Sequence, residues 1–232
     1  MDSIEIQNLA DLESVHWWYR LRSESVQKWA QSLPAGSKVL DVGSASGGNT
    51  LLLSELGLNV TSLEMSELGV ELQLKKGIHV VKGDATDLPF ESSRFDAILC
   101  LDVLEHIEDD IAALTEMYRV MKPTGKFLFS VPEDPKLWSE HDEAVSHVRR
   151  YLRNELENKT SGVGFQISST WSSLVLLKWP IKIYRLFTKG SSLKKEHVLI
   201  NFILLNLGRF ERRVMPSKCS GVTLWCEGSK PK

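Results

Sequence analysis

One alternation limits what this chain can fold into. Short apolar, β-branched runs stop at glycines or acidic residues, and each is followed by a helical stretch. Lys38–Val42 (KVLDV) reads as a first strand and 49–56 as the helix after it, ended by Gly57. Residues 59–63 form a second strand, followed by a helix near 66–75 and Gly77. Ile78–Val81 is a third strand. Phe95–Leu101 (FDAILCL) is a fourth, apolar enough to be covered on both faces. An amphipathic helix over 109–121, with aspartates at its start, leads through Pro123-Thr124-Gly125 into a fifth strand, Lys126–Val131. Strands alternating with helices predict βαβ units, a parallel sheet and right-handed crossovers. The fold class is therefore α/β: a doubly wound, mostly parallel sheet with helices on both faces. Ligands of such sheets bind beyond the carboxyl ends of the strands.

The flanks differ. Residues 11–33 read as one helix, with Val15, Trp18, Leu21, Val26 and Trp29 at roughly helical spacing. Residues 132–160 are polar and rich in His and Arg. Phe165–Thr170 and Val222–Glu227 are strand candidates, and between them a helical insertion spans about 171–215. No linker marks a second domain, so 1–232 is expected to form one. The 232 residues are 42% apolar and 25% charged, ordinary for a globular chain. Three cysteines without short paired spacings exclude a disulfide scaffold and a cysteine zinc site, and suggest a reducing, cytoplasmic setting. No secretory signal or membrane-spanning run is legible. Residues 1–150 carry 14 Lys and Arg against 25 Asp and Glu, a net of −11. Residues 151–232 carry 14 against 5, a net of +9.

The strand ends carry the chemistry. After the first strand stands Asp41-Val42-Gly43-Ser44-Ala45-Ser46-Gly47-Gly48. Its small residues let backbone approach a ligand, and the next helix offers free N–H groups. Glu64 closes the second strand, 21 positions after Gly43, where a carboxylate can accept both hydroxyls of a ribose. Together these point to a nucleoside-type ligand. A dinucleotide loop needs Gly-x-Gly-x-x-Gly, so that pyrophosphate meets bare N–H groups. Here the glycines stand otherwise, and Asp41 would repel a phosphate and attract a cation. S-adenosylmethionine, with an ammonium, a sulfonium, a ribose and an adenine, suits that charge better than NAD does. Asp84 and Ala85 follow the third strand and could meet an adenine edge, or Asp84 and Asp87 could only shape an Asx turn before Pro89.

VLDVGSASGGNT, SLEMSE, GDATDLPF, FDAILCLDVLEHIED and MKPTGKFLFSVP, in that order over residues 38–131, resemble the motifs of class I S-adenosylmethionine-dependent methyltransferases. HWWYRLRSE and the HVRRY segment resemble a type 11-like subgroup of mostly unassigned substrate. The resemblance implies a Rossmann-like sheet of seven strands, with a lid over 1–35, a cofactor core over 36–131 and an acceptor-side segment over 132–232. It implies that Asp41, Gly43, Ser44, Ala45 and Gly47 cradle the methionine part and that Glu64 holds the ribose. Met65 would lie against the adenine, Asp84 and Ala85 at its edge, and Leu101 and Asp102 along the cofactor. Ala45 departs from the usual glycine, which is tolerated where φ is negative.

The remaining expectations concern the acceptor. A hydroxyl acceptor needs its proton removed, and His106 and His147 are the candidate bases. Trp18, Tyr19, His141, Arg149 and Arg150 are candidate acceptor contacts, the arginines equally able to pair with Glu105 and Asp142 inside the fold. Trp17, Trp18 and Tyr19 read equally as lid or core. Glu105, His106, Asp109 and Asp110 together suggest a metal, but the two aspartates are explained more simply as helix-start acids, so no metal is expected. Lys178, Lys182, Arg185, Lys189, Lys194, Lys195, Arg209, Arg212 and Arg213, among Leu, Ile, Trp and Phe, form a basic apolar segment. It reads either as peripheral contact with anionic lipid, suiting a small-molecule or lipid-like acceptor, or as a solvated face over the site. No base-flipping Asn-Pro-Pro-Tyr follows the fourth strand, so nucleic acid is not expected as a partner. A non-catalytic cofactor-binding module and a nicotinamide-dependent oxidoreductase on a similar sheet are the competing readings.

Overall fold

The computed structural model describes residues 10–13, 15–187, 198–216 and 218–232. The side chain of Arg185, and Lys189, Lys194 and Lys195, lie outside the described residues.

Among these residues, seven strands form one sheet: β1 (Lys38–Val42), β2 (Asn59–Glu64), β3 (Val80–Lys82), β4 (Phe95–Leu101), β5 (Met121–Pro132), β6 (Gln166–Ser173) and β7 (Thr223–Ser229). Their order is β3-β2-β1-β4-β5-β7-β6. The first five are parallel, and β7 runs antiparallel between β5 and β6. The helices are α1 (Trp17–Ala30), α2 (Gly48–Glu55), α3 (Glu67–Lys75), α4 (Asp110–Val120), α5 (Glu140–Ala144), α6 (Arg153–Val163), α7 (Lys178–Phe187) and α8 (Val198–Val214). The doubly wound, mostly parallel sheet is as the alternation predicts.

Both faces of the central strands are covered, as continuous apolar runs require. Val39, Ala97, Leu99 and Leu128 pack with Val26 and Trp29 of α1 and Leu53 of α2. Leu40, Ile98, Cys100, Phe127 and Phe129 point the other way, onto Leu114 and Met117 of α4 and Leu156 of α6. A third cluster, with Trp17, Leu21, Leu137, Leu174, Leu177 and Leu205, joins the C-terminal insertion to α1.

Several boundaries differ from the sequence reading, among them the helix expected over 11–33, which is Trp17–Ala30. The β5 strand starts at Met121, directly after α4. The β4–β5 register jumps from Phe95↔Met121 to Ala97↔Lys126, so residues 122–125 form the irregularity that Pro123 and Gly125 suggest as a turn. The β3 strand is only Val80–Lys82, because Ile78 closes back on α3, its N–H donating to the Gln73 carbonyl at 3.0 Å. Helix α6 stands where only polarity was legible, and it buries just Leu156 and Thr160, four residues apart on one face.

Leu99, in the middle of β4, is fully buried. Leu99→Ala is expected to lower stability by about 2–5 kcal/mol, the range for emptying a core leucine site. A urea midpoint shifted down at unchanged slope checks this.

Candidate functional site

Parallel pairing places the ends of β1, β2 and β4 side by side: Val42 lies opposite Leu63 on one flank and Cys100 on the other. The residues that follow each strand therefore meet at one edge. Gly43 takes φ 68° and Gly47 φ 85°, the latter opening α2 without a side-chain cap. These are left-handed conformations that glycine adopts without strain.

Asp41 is almost fully buried and accepts a hydrogen bond from Thr50 Oγ1 at 2.6 Å. Burial pushes its pKa up to about 7, against the Thr50 bond and the nearby Arg22 charge, with Glu64 adding to the rise. Glu64, 7% exposed, holds the loop in place: Oε2 accepts the Ala45 N–H at 2.7 Å and Oε1 the Ser66 N–H at 2.8 Å. Each oxygen keeps a further lone pair. Gln73 of α3 completes the support. Fully buried, it donates to Ser44 Oγ (2.9 Å) and the Ala45 carbonyl (2.8 Å) and accepts from Ser62. The Ser44 hydroxyl also bonds Ser62, so it faces inward rather than toward the open side of the loop. Ala45 corrects the sequence expectation. Its φ is +49°, so a residue with a Cβ occupies the left-handed region.

A cavity of about 290 Å³ opens beside this loop, lined by Asp41, Gly43, Ser44 and Ala45, by Leu101 and Asp102, and by α1 through Tyr19 and Arg22. Arg22 was not singled out in the sequence, although it lies within the HWWYRLRSE segment. Its guanidinium meets Asp102 Oδ2 at 2.6 Å and the Leu101 carbonyl at 2.7 Å, while Nε is buried without a partner. Glu13 was also missed. It accepts from Ser46 Oγ (2.7 Å) and Lys76 Nζ (3.2 Å), bringing the segment before α1 onto the loop. Asp102, at φ 52°, accepts from Ser130 Oγ (2.9 Å) as well as from Arg22.

Gly47, Glu64, Met65, Asp84 and Ala85, also expected at the cofactor, stand outside the lining of this cavity. Met65 is largely exposed at the end of β2. Asp84 forms the Asx turn, accepting the N–H and hydroxyl of Thr86, both at 2.9 Å. Ala85 is buried in the core. Of the aromatic trio, Trp17 is core, Trp18 packs partly against it, and Tyr19 faces the cavity.

Beyond β4 the chain makes a single 3-10 turn, Leu104–His106. His106 and His147 meet edge to face, with ring centroids 4.8 Å apart. Burial first, and His147 second, bring the His106 pKa down to about 4, so this imidazole is neutral at pH 7. His147 Nδ1 lies 2.9 Å from Asp142 Oδ1. Glu105 is fully buried beside them, its carboxyl pushed well above its usual range by burial and by Asp102. The expected acceptor contacts at Arg149 and Arg150 are corrected by their surroundings. Arg150, 4% exposed, binds Asp142 (2.7 Å) and the Glu133 carbonyl (3.1 Å). Arg149 binds Asp110 (3.0 Å) and the Glu108 carbonyl (2.8 Å). Both therefore close the fold onto its own acids. His141 lies on α5.

Much of the basic segment is paired internally: Lys178 with Asp134 (2.7 Å), and Arg209 and Arg212 with Glu24 (2.6 and 3.5 Å). Lys182 Nζ donates to the Lys136 carbonyl at 3.0 Å, and Arg213 is exposed at the end of α8.

Because Ala45 carries a Cβ at positive φ, Ala45→Gly is expected to stabilise the protein by about 0.5–1 kcal/mol despite the greater freedom of glycine when unfolded. Chemical denaturation of the two proteins checks the sign.

Residues 40–129 match the family described as "Methyltransferase domain". The "Uncharacterized methyltransferase YcgJ" of Bacillus subtilis is 35% identical over 127 residues, 50% of this chain and 48% of that protein. The ubiquinone biosynthesis O-methyltransferase of Pseudomonas entomophila is 32% identical over 115 residues, 45% and 48% of the two chains. This chain thus spans about half the length of the curated relatives it matches. Among solved structures, a putative methyltransferase in complex with the Haloferax volcanii Trm112 methyltransferase activator superposes with a TM-score of 0.70. That match is 18% identical and covers 99% of this chain and 96% of the other, a likeness of fold. Over residues 40–129 this chain thus matches the methyltransferase-domain family, and over nearly its whole length it shares the fold of that solved methyltransferase.

Proposed function

We propose that this protein transfers a methyl group from S-adenosylmethionine to a small-molecule or lipid-like acceptor. The observation that supports this reading is a pair of buried carboxylates at one glycine loop: Asp41, which lines the open cavity, and Glu64, which ends β2 and accepts the loop's Ala45 N–H from outside that lining. Asp41 favours an ammonium over a phosphate. Glu64, with a lone pair left on each oxygen, suits the two hydroxyls of a ribose. Gly43 and Ala45 keep the loop backbone close, and Leu101, Asp102 and Tyr19 close the cavity from β4 and α1. Met65, Asp84 and Ala85 remain the proposed adenine side, reached beyond the cavity along the edges of β2 and β3.

Bound there, S-adenosylmethionine supplies a methyl carbon on a positively charged sulfur, which regains the carbon–sulfur electron pair as the acceptor atom forms its bond. The protein's main contribution to such an in-line displacement is alignment and exclusion of water. Arg22 contributes by tying α1 to Asp102 and Leu101, so the helix that carries Tyr19 is fixed to the end of β4. A hydroxyl acceptor also gives up a proton. His106, neutral at pH 7, has the protonation state that accepts one, and His147 stands beside it.

A lipid-like acceptor is supported by the outer faces of α7 and α8, where Trp179, Ile183, Val198, Leu199, Phe202 and Ile203 are exposed. No helix among the described residues is long and apolar enough to cross a membrane. The quinone-pathway name of one relative points to the same acceptor class. Flotation on anionic vesicles is expected to enrich the protein, and Trp179→Ser with Phe202→Ser to abolish the enrichment. Equal recovery on neutral and anionic vesicles, or none on either, refutes the membrane contact.

Calorimetry tests the donor. S-adenosylhomocysteine is expected to bind and NADH not to bind. Glu64→Ala is expected to weaken the former by about 1–3 kcal/mol, the scale of lost charged hydrogen bonds.

Asp41 sets the pH dependence, with Arg22 and Glu64 the charged groups facing it and Thr50 its hydrogen-bond donor. Its folded pKa, about 7, lies above the unfolded value. The folded form therefore holds a proton that the unfolded chain has lost, and stability without ligand falls as pH rises toward 7. Affinity for the cationic donor runs the other way, rising through pH 7 as Asp41 ionises. Asp41→Asn is expected to flatten both slopes, read by thermal unfolding and by titration calorimetry across pH 5.5–8.5.

A further inference from the structure

Glu105, His106 and His147 come together where the turn after β4 meets the loop that follows α5. One ligand-type atom from each lies within 4.8 Å of the others. Glu105 is 0% exposed, and among the described residues no other residue donates a hydrogen bond to either of its oxygens. A lone ionised carboxylate in that position costs several kcal/mol. The nearby cations are engaged elsewhere: Arg22 with Asp102 and the Leu101 carbonyl, Arg150 with Asp142 and the Glu133 carbonyl. His147 Nε2 approaches to 3.8 Å from Oε1.

The two imidazoles are oriented alike. His147 Nδ1 faces Asp142 Oδ1 at 2.9 Å, and His106 Nδ1 faces the Ser146 carbonyl at 3.1 Å. With a proton on each Nδ1, both rings donate outward and both Nε2 lone pairs stay available. This is the outer arrangement that fixes metal-binding histidines, a carboxylate or carbonyl behind each ring. The sequence expectation of no metal weighed Glu105 and His106 together with Asp109 and Asp110; the two aspartates stand outside this cluster, and His147 takes their place. Asp109 accepts from the Ala112 N–H at the start of α4, and Asp110 binds Tyr151, Arg149 and Lys159.

We propose that Glu105, His106 and His147 bind a divalent transition ion of the zinc type through the carboxylate and the two Nε2 atoms. Two imidazoles and one carboxylate suit such ions, whereas magnesium prefers oxygen ligands alone. Ligand atoms about 2.0–2.2 Å from one ion stand roughly 3–4 Å apart, so small side-chain rotations close the site. The ion supplies the positive charge that Glu105 lacks and ties the turn after β4 to the loop after α5. It also occupies the lone pairs that a general base would use, so the two roles exclude each other at these histidines. The proposal does not depend on the methyl-transfer reading, because its readout is metal binding itself.

The test uses the full chain, untagged and stripped with EDTA, titrated separately with Zn2+, Co2+ and Mg2+. One equivalent of Zn2+ is expected to raise the melting temperature by several degrees. Co2+ is expected to develop visible d–d absorption, and Mg2+ to do neither. Glu105→Gln removes the buried charge while keeping its shape. It is expected to melt no lower than the stripped wild type, yet to bind Zn2+ at least tenfold more weakly and to lose the cobalt spectrum. His106→Ala, on a half-buried ring, is expected to lose the same responses with an unchanged circular dichroism spectrum. Absence of stoichiometric Zn2+ binding overturns the proposal, as does wild-type affinity in His106→Ala. Tight binding of Mg2+ overturns the assigned ion class. Should Glu105→Gln fail to fold, His106→Ala decides the outcome alone.

Discussion

Parallel pairing of β1 with β2 on one side and β4 on the other is the constraint from which the rest of the molecule follows. Strands that run the same way end at the same edge, and the chain must cross back through a helix before each new strand. The loop after Val42, the carboxylate of Glu64 and the Leu101-Asp102 step therefore converge although up to 60 positions separate them in the chain. The crossovers also cover both faces of β1 and β4, so the converging ends rest on a rigid, fully buried support.

At that edge the protein concentrates buried polarity. Asp41, Glu64, Ser44, Ser62 and Gln73 are all withdrawn from water, and most of their atoms are satisfied by one another or by the loop backbone. Such a network is costly when incomplete and rigid when complete. It gives a loop of small residues one defined shape, with Ala45 held in a left-handed conformation by its N–H bond to Glu64. Helix α1 adds the missing side of the cavity through Arg22, whose two contacts on Leu101 and Asp102 act as a hinge pin between the N-terminal segment and the sheet.

The opposite flank of the same edge is organised by different means. The acids and arginines of residues 133–153 fold inward onto one another: Arg150 onto Asp142, and Arg149 and Lys159 onto Asp110. Burial opposes ionisation of Asp142, yet hydrogen bonds from His147 and Arg150 hold its carboxyl well below the usual range. Asp142 thus serves His147, Arg150 and Ser139 at once, whereas neither oxygen of Glu105 has a hydrogen-bond partner among the described residues. The contrast between a satisfied Asp142 and an unsatisfied Glu105, both at 0% exposure, marks a place where the described residues do not complete their own bonding.

The strand–helix alternation, the acid–glycine loop and Glu64 were legible in the linear sequence because each rests on local chemistry. Side-chain period fixes which runs become strands, and residue size fixes which turns permit close backbone approach. The Asx turn at Asp84 was legible as one of two readings for the same reason. Arg22, Glu13 and Gln73 were not, since their roles depend on partners 20 or more positions away or on another element. The pairing of Arg150 with Asp142 was legible as one of two readings, whereas the Arg149–Asp110 pair and the left-handed backbone of Ala45, whose N–H Glu64 holds from the neighbouring strand, were not. By itself the sequence determined the fold class and where along the chain a cationic nucleoside ligand could be met. Only the tertiary structure decided which charges are satisfied and which are left open, because burial and pairing are set by neighbours that chain order does not reveal.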